Sequence, residues 1–302
     1  MAADMKQAIK QCLFFLYLYS GGLQLRNLSQ RLSGRSRIVI LYYHRVGPCD
    51  VLSQPVTRFR GDMEYLARHY QCLTLRELGR RLQAHQRRTR PIAVVTFDDG
   101  YKDNFTNAFP ELKACGVPAT FFVSTGFIGT DRPFPHDQRA VATHRAQRAD
   151  WPKMTWDDLR QMQAAGMEIG SHTVDHTDMG GVDAAHAADE IRQSLGMLRR
   201  ELGDGERAFC FPWGRKENVT PAAVEAIRKA GFYAAVTTRP GVVPDAADLL
   251  DLPRVDAGNG TMTRLATLAH IEGFGNGWLA RLLHPSGGRS ARPIGLDYAP
   301  IP

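Results

Sequence analysis

Hydrophobic positions along this chain alternate between two periodicities. Short runs of β-branched and aromatic residues predict buried strands, and amphipathic stretches between them predict helices. The predicted strands are 37–46, 92–100, 118–125, 167–172, 207–214, 232–238 and 249–256. The predicted helices lie within 58–90 and at 107–116, 155–166, 183–202 and 220–231. Because the strands are almost continuously apolar and alternate with helices, the pattern predicts a parallel sheet covered by helices.

Two of the predicted helices carry clear start signals. Thr155 stands at a predicted N-cap with Asp158 three residues later, and Gly166 follows the last helical turn. Thr220 is followed directly by Pro221, the residue favoured at the first helical position. These patterns are typical of capped helices that begin and end where the hydrophobic periodicity does.

Polar residues recur where the predicted strands end. Parallel α/β sheets place their chemistry at the carboxyl ends of their strands, so these residues are the first candidates for a site. They are His44, Asp98, Asp99, Ser124, Thr125, His172, Pro212, Trp213 and Arg254.

Two adjacent carboxylates, Asp98 and Asp99, follow the apolar run 92–97. Side chains alternate along a strand, so the two residues cannot share one task. One can bind a cation, which offsets their repulsion, while the other acts as a general base. A nearby cation lowers a carboxylate pKa, so both groups can be ionised near neutrality. The alternative is that the pair only caps the turn before Gly100.

His172 and His176 are four residues apart in the segment GSHTVDH. A helical turn after the preceding strand would point both imidazoles the same way. Two histidines and one carboxylate form a common open metal site, with three protein ligands and one position left for water. The pair alone is weak evidence, and the nearby acids strengthen it.

Composition narrows the function classes only slightly. The chain has 302 residues, 43% of them hydrophobic, and a formal net charge of +7. Basic clusters at 76–91 and 136–148 suit either solvated helix faces or anionic partners such as phosphate groups or acidic glycans. No aromatic-plus-basic pattern of a nucleic-acid module occurs, so we expect no nucleic-acid role. Five cysteines without a CxxC favour neither a disulfide framework nor a cysteine zinc site, and suggest a reducing compartment.

The chain is expected to consist of an N-terminal segment 1–35, a catalytic domain 36–284 and a Pro/Gly-rich tail 285–302. The apolar run 12–19 is shorter than the roughly 20 residues that span a bilayer, and no Ala-x-Ala cleavage site follows it. Flanking lysines and arginines suit a helix on an anionic membrane surface, and packing against the domain is the alternative. We therefore expect a cytoplasmic or membrane-peripheral protein rather than an exported one.

Three motifs in order, TFDDGY, SHTVDH and FPWG, resemble those of the polysaccharide deacetylase family, the NodB-homology domain of carbohydrate esterase family four. The likeness covers about residues 37–270, and ILYYHRVG and FPELKACGVPATFFV are similar to the branch that deacetylates exopolysaccharide or bacterial envelope glycans. The resemblance implies a distorted (β/α) barrel of about seven strands. It also implies one divalent metal ion, usually zinc, with cobalt, nickel, manganese or iron as alternatives.

By motif position, the resemblance implies that Asp98 is the catalytic base and that Asp99, His172 and His176 bind the metal. Water activated by the cation would attack an N-acetyl carbonyl, and a backbone N–H near Trp213 would stabilise the oxyanion. Substrate contacts are expected from Tyr101 in the first motif and from Pro212 and Trp213 in the third.

The chain departs from the family pattern at two places. The third motif commonly carries an arginine that tethers the base, and here Cys210 occupies that position. Arg254 can supply the missing guanidinium, unless it is an ordinary surface arginine. The general acid is also open among His44, His270 and His284. The remaining histidines show no ligand spacing and are expected on the surface: His69, His85, His136, His144 and His186.

The expected function is metal-dependent removal of N-acetyl groups from amino sugars of a polysaccharide or lipid-linked glycan, with release of acetate. One alternative is a deformylase or amidase acting on another sugar amide. A second alternative is a catalytically silent glycan-binding domain, against which the intact base Asp98 argues.

Overall fold

A computed structural model describes residues 12, 15–17, 20–47, 53–143, 150–258 and 264–273. Ten strands lie within these ranges. They are β1 Ile38–Tyr43, β2 Arg45–Val46, β3 Ser53–Gln54, β4 Gln71–Leu73, β5 Ile92–Phe97, β6 Ala119–Val123, β7 Glu168–Ser171, β8 Ala208–Cys210, β9 Ala234–Pro240 and β10 Leu252–Asp256.

Seven of these strands close into a parallel barrel in the order β1-β10-β9-β8-β7-β6-β5, with β5 returning to β1. Strand β1 pairs with β5 with Ile38 opposite Ile92, and it pairs with β10 with Leu41 opposite Val255. Strand β4 pairs with the first half of β5, outside the ring, and β2 pairs with β3 in a small separate sheet. The predicted parallel barrel of about seven strands is therefore confirmed.

Helices connect the strands and cover the barrel. They are α1 Gly22–Ser33, α2 Val56–His69, α3 Leu75–Gln83, α4 Phe109–Cys115, α5 Pro135–Ala142, α6 Trp156–Ala164, α7 Ala184–Leu202, α8 Pro221–Ala230 and α9 Arg264–Ile271. A π-helical turn, Asn104–Ala108, precedes α4, and a 3₁₀ turn occupies Lys216–Asn218. The predicted capping box of Thr155 with Asp158 and the Thr220 cap are both present.

Strand side chains alternate between two hydrophobic clusters. Val39 and Leu41 of β1 pack in the cluster that contains Phe59 of the outer helix α2. Ile38 and Ile40 pack in the second cluster, on the opposite face of the same strand. Because β5 follows the same alternation, Asp98 extends the row of Ile92, Val94 and Thr96, on the face opposite to the one that packs with Phe59 of α2.

The structure differs from the predicted pattern at β4, at β8 and in the region after β6, and it also contains β3 and α9, which were not predicted. Strand β4 was missed because its three residues lie between two amphipathic helices. Strand β8 is shorter than the predicted 207–214, because the chain leaves the sheet after Cys210 and turns through residues of positive φ. The region between the predicted strand 118–125 and the predicted helix 155–166, for which no helix was predicted, contains the helix α5.

Helix α1 has one face on the domain and one exposed. Arg26 donates a hydrogen bond to the backbone oxygen of Glu272, 3.0 Å away. The opposite face exposes Leu25, Leu28 and Leu32, of which 69%, 53% and 71% of the surface is accessible. Within the described ranges, no helix is long and apolar enough to cross a membrane. The predicted division of the chain into 1–35, 36–284 and 285–302 stays a prediction, and the tail 285–302 lies outside the described residues.

Candidate active site

The site lies at the carboxyl ends of the barrel strands. Asp98 and Asp99 follow β5, His172 follows β7, Cys210 ends β8, and Arg254 lies within β10. All five side chains are buried. The barrel therefore brings together residues up to 156 positions apart in the sequence.

Asp98 is held by Arg254 through two parallel hydrogen bonds. Nη1 donates to Oδ1 and Nη2 donates to Oδ2, both at 2.7 Å. The guanidinium is itself fixed, because Nε donates to the carbonyl oxygen of Thr237 at 2.9 Å and Nη1 donates to Thr96 Oγ1 at 3.0 Å. This fork geometry fixes the direction of the carboxylate as well as its charge.

Cys210 lies directly beside this ion pair. Its Sγ is 3.0 Å from Nη2 of Arg254 and 3.6 Å from Oδ1 of Asp98. Thus the guanidinium that contacts Asp98 comes from β10, while a thiol occupies the neighbouring position on β8. Arg254 is buried, so the alternative of an ordinary surface arginine is excluded.

Two opposing effects set the pKa of Asp98. Burial raises the pKa, and the charge and hydrogen bonds of Arg254 lower it, with a net result below the usual value. The charge of His44 also lowers it. Asp98 is therefore ionised at neutral pH and able to accept a proton.

Asp99 faces a ring of imidazole nitrogens. Its Oδ1 lies 3.5 Å from Nε2 of His172 and 3.3 Å from Nε2 of His176. Its Oδ2 lies 3.4 Å from Nε2 of His136. Both carboxylate oxygens are buried, yet neither accepts a hydrogen bond from the described residues. A buried carboxylate without hydrogen bonds is costly unless a cation satisfies it, so this donor set fits a divalent metal.

The tautomer of His172 suits a metal ligand. Its Nδ1 lies 2.8 Å from the carbonyl oxygen of Cys210, which can only accept. Nδ1 therefore carries the proton, and the lone pair of Nε2 points toward Asp99. Backbone carbonyls commonly orient metal-binding histidines in this way.

Backbone strain is concentrated at this site. Among the described residues, five that are not glycine have positive φ, and four of them are Asp99 (76°), Thr173 (67°), His176 (56°) and Trp213 (63°). Such conformations are disfavoured for residues with a Cβ and occur preferentially at functional sites. The left-handed turns are what bring His176 back beside His172, at a ring separation of 4.9 Å.

His136 is the residue that sequence reasoning placed wrongly. The expected surface position is incorrect, because only 4% of His136 is exposed and Phe134 stacks on its ring at 5.0 Å. Its Nε2 also lies 2.8 Å from the hydroxyl of Tyr101, which donates to Asp137 Oδ2 at 2.8 Å. The segment 136–148 is polar and basic, which predicts an exposed surface. One sequence feature pointed the other way, because His136 follows Pro135, a residue favoured at the start of a helix.

The predicted substrate residues differ in their accessibility. Trp213 is half-buried, and its ring meets those of His176 and His136 edge-on at 5.3 and 5.9 Å. Pro212 is buried beneath it. Tyr101 is 1% exposed, so it contacts the site residues from below rather than presenting a surface.

The candidates for the general acid fall in different places. His44 is half-buried after β1 and lies edge-on to Tyr42 at 5.8 Å. His270 is exposed on α9, where its charge lowers the pKa of Asp256 against the larger effect of burial. His284 lies outside the described residues, as does His144. His69, His85 and His186 are exposed as expected.

Comparisons with known proteins agree with this geometry. A sequence profile described as polysaccharide deacetylase matches residues 85–235, half of the chain. YxkH of Bacillus subtilis is 29% identical over 238 residues, covering 78% of this chain and 77% of YxkH. The poly-β-1,6-N-acetyl-D-glucosamine N-deacetylase of Staphylococcus epidermidis is 23% identical over 248 residues, covering 74% of this chain and 80% of that protein.

The fold is shared with solved structures. The deacetylase PplD of Streptococcus pyogenes, in complex with acetate, superposes with a TM-score of 0.63 at 23% identity, covering 78% of this chain and 97% of PplD. The profile match spans the strand before Asp98 through β8 and into β9, and so includes Asp98, Asp99, His172 and His176. The chain therefore belongs to the polysaccharide deacetylase family and is a hydrolase of carbon–nitrogen bonds other than peptide bonds.

Proposed function

We propose that this protein is a metal-dependent hydrolase that removes N-acetyl groups from amino sugars of a polysaccharide or lipid-linked glycan and releases acetate. The observation that carries the proposal is the different setting of two adjacent carboxylates. Asp98 is bound by a guanidinium, whereas Asp99 meets imidazole nitrogens and accepts no hydrogen bond from the part of the chain that the structure describes. Asp98 is thus suited to accepting a proton, and Asp99 is suited to binding a cation.

Asp99, His172 and His176 are the residues that would hold the cation. Their nitrogen and oxygen donors fit zinc, and they also accept cobalt, nickel, manganese or iron. When bound, the cation would polarise the N-acetyl carbonyl and increase the acidity of a neighbouring water. The burial of Asp99, 1% exposed, strengthens every electrostatic interaction at this point.

Asp98 is the proposed general base, which takes the proton from the attacking water. Arg254 acts on it as a positioning residue, because two hydrogen bonds of 2.7 Å keep the carboxylate ionised and fixed in direction. General bases of this kind contribute about 10²–10⁴-fold to rate. His44, which is half-buried and directly follows β1 at the barrel mouth, is the proposed donor of the proton to the departing amine.

Trp213 is the proposed contact for the sugar. Its side chain is half-buried, and an aromatic face partly open to solvent can stack on a pyranose ring. Its positive φ turns the backbone at the point where the family places an oxyanion donor. Pro212 supports this turn from below. The Staphylococcus epidermidis relative makes oligomers of β-1,6-linked N-acetylglucosamine the first substrate to test.

The test is a metal-reconstituted activity screen. Purified full-length protein is stripped of metal, reloaded with zinc, cobalt, nickel, manganese or iron, and incubated with N-acetylated oligosaccharides while acetate is measured. We expect acetate only with metal, and at least about 100-fold less from Asp98→Asn, the lower range for a lost general base. Asp157→Asn, which changes an exposed aspartate on α6, is the matched control and should keep full activity.

Two outcomes would replace this function with another. Release of formate from formamido sugars, without acetate, would identify a deformylase. Binding of zinc and glycan with no acid released from any acetylated sugar would identify a glycan-binding domain. Equal acetate release by wild type and Asp98→Asn would refute the assigned base.

We also propose that helix α1 rests on an anionic membrane surface. Its exposed face carries Leu25, Leu28 and Leu32, and Arg31 on the same helix is also exposed. This combination suits interfacial binding. A position at the inner face of a membrane would bring the enzyme close to lipid-linked sugars.

A further inference from the structure

His136 occupies a place at the site that the motifs do not account for. It lies at the start of α5, between β6 and β7 in the chain, and is buried between the rings of Phe134 and Trp213. Its ring centre is 4.9 Å from that of His176. The imidazole of His136 is therefore held by aromatic packing among the residues that surround Asp99.

The distances around Asp99 are those expected between ligands of one cation. Two atoms bound to the same cation at about 2.0–2.2 Å lie roughly 3–3.6 Å apart. Nε2 of His136 lies 3.4 Å from Asp99 Oδ2, and the corresponding distances for His172 and His176 are 3.5 and 3.3 Å from Oδ1. One ligand atom each of Asp99, His136 and His176 also lies within 4.8 Å of the others. His136 thus lies as close to Asp99 as the two motif histidines do, although it faces the other carboxylate oxygen and His172 is grouped instead with Asp98 and Cys210.

Tyr101 competes with a cation for the lone pair of His136 Nε2. Its hydroxyl proton has two acceptors at 2.8 Å, Nε2 of His136 and Oδ2 of Asp137. A hydroxyl donates one proton at a time. When that proton goes to Asp137, Nε2 of His136 can bind a cation if the Tyr101 oxygen, 2.8 Å away, moves out of the direction of its lone pair. Asp137, which is buried, therefore serves as the alternative partner of Tyr101.

We propose that His136 is a fourth protein ligand of the cation, so that one carboxylate and three imidazoles hold it. This inference rests on the metal dependence proposed above. A fourth protein ligand leaves room for water only at a coordination number of five or more. Consequently the site should bind its metal more tightly than a three-ligand site, and should favour ions that readily exceed four-coordination.

The experiment compares His136→Gln with His186→Gln, a change of an exposed histidine on α7. Metal-stripped full-length proteins are titrated with Co²⁺ and Zn²⁺ in competition with a fluorescent chelator. We expect His136→Gln to weaken affinity by more than about 100-fold, the most that loss of a residue touching only a ligand usually costs. His186→Gln should leave the affinity unchanged. Circular dichroism and urea unfolding establish that both variants are folded.

A second readout follows ligation directly. In the Co²⁺-loaded protein, each coordinated imidazole gives one exchangeable N–H proton resonance shifted far outside the normal range. The wild type should show three such resonances, and His136→Gln should show two. Tyr101→Phe, which keeps the ring packing, should retain all three and lose less than about 100-fold in affinity.

The outcomes separate this inference from the proposed function. Unchanged metal affinity and resonances in His136→Gln would overturn the assignment, and if turnover nevertheless fell, His136 would act on substrate or protons instead. Three imidazole resonances without acetate release would leave the ligand set intact and overturn the function. A wild-type protein that bound neither Co²⁺ nor Zn²⁺ would overturn both.

Discussion

Replacing Arg254 with methionine tests the most specific contact of the site. The change leaves Asp98 buried with its charge, since the two side chains are 0% and 3% exposed. Removing one partner of a buried ion pair costs about 3–5 kcal/mol of folding stability. The carboxylate also loses the two hydrogen bonds that fix its direction, so we expect acetate release to fall by at least about 100-fold. Metal content should stay normal, because Asp99 does not contact Arg254.

The assay is a double-mutant cycle on urea unfolding. Arg254→Met, Asp98→Asn and the double variant are compared with wild type, and Arg192→Met, which removes an exposed ion pair, is the control. We expect a coupling energy of about 2–3 kcal/mol between Arg254 and Asp98, with the double variant more stable than Arg254→Met alone. Wild-type turnover in Arg254→Met, or a coupling energy near zero, would refute the reasoning.

Three further predictions concern other residues. In an Arg254→Ala background, Cys210→Arg should restore part of the lost acetate release, because a guanidinium would again reach Asp98. If activity does not recover, the guanidinium must come from β10 to position Asp98. The pKa of Asp62 is raised by burial from 3.8 to about 7, so the folded chain binds this proton more tightly and stability falls as pH rises through that window. Asp62→Asn should then stabilise the protein by up to about 4 kcal/mol in urea unfolding at pH 8 and by little at pH 4, whereas equal effects at both pH values would contradict this. Leu28→Ser with Leu32→Ser should reduce co-sedimentation with anionic lipid vesicles without changing turnover on soluble oligosaccharide, and unaltered sedimentation would exclude the exposed leucine face.

The sequence was sufficient where periodicity and chemistry coincide. The apolar run before Asp98 predicted β5, and the capping pair Thr155 and Asp158 located α6. Arg254 could be singled out because it ends a predicted strand and a partner for Asp98 was missing from β8. The roles of these residues stay predictions, although the structure places them in one cluster.

Other features depend on tertiary packing that no local pattern encodes. Strand β4 is only three residues long and exists because β5 offers it a pairing edge. His136 is followed by polar residues, and its burial depends on Phe134, two residues earlier, and on Trp213, which comes from a distant part of the chain. A histidine of this kind has no periodic signature. It becomes recognisable only when the insertion that carries it is folded over the barrel mouth.

The pairing of Asp98 with Arg254 makes catalysis depend on completion of the barrel. Strand β1 lies between β10 and β5, so this ion pair forms only when the last barrel strand has returned to the first. Asp99 follows β5 and the two motif histidines follow β7, so the proposed metal ligands do not depend on β10 in the same way. On the proposed function, a chain truncated before β10 would keep these ligands and lose the guanidinium that positions the base.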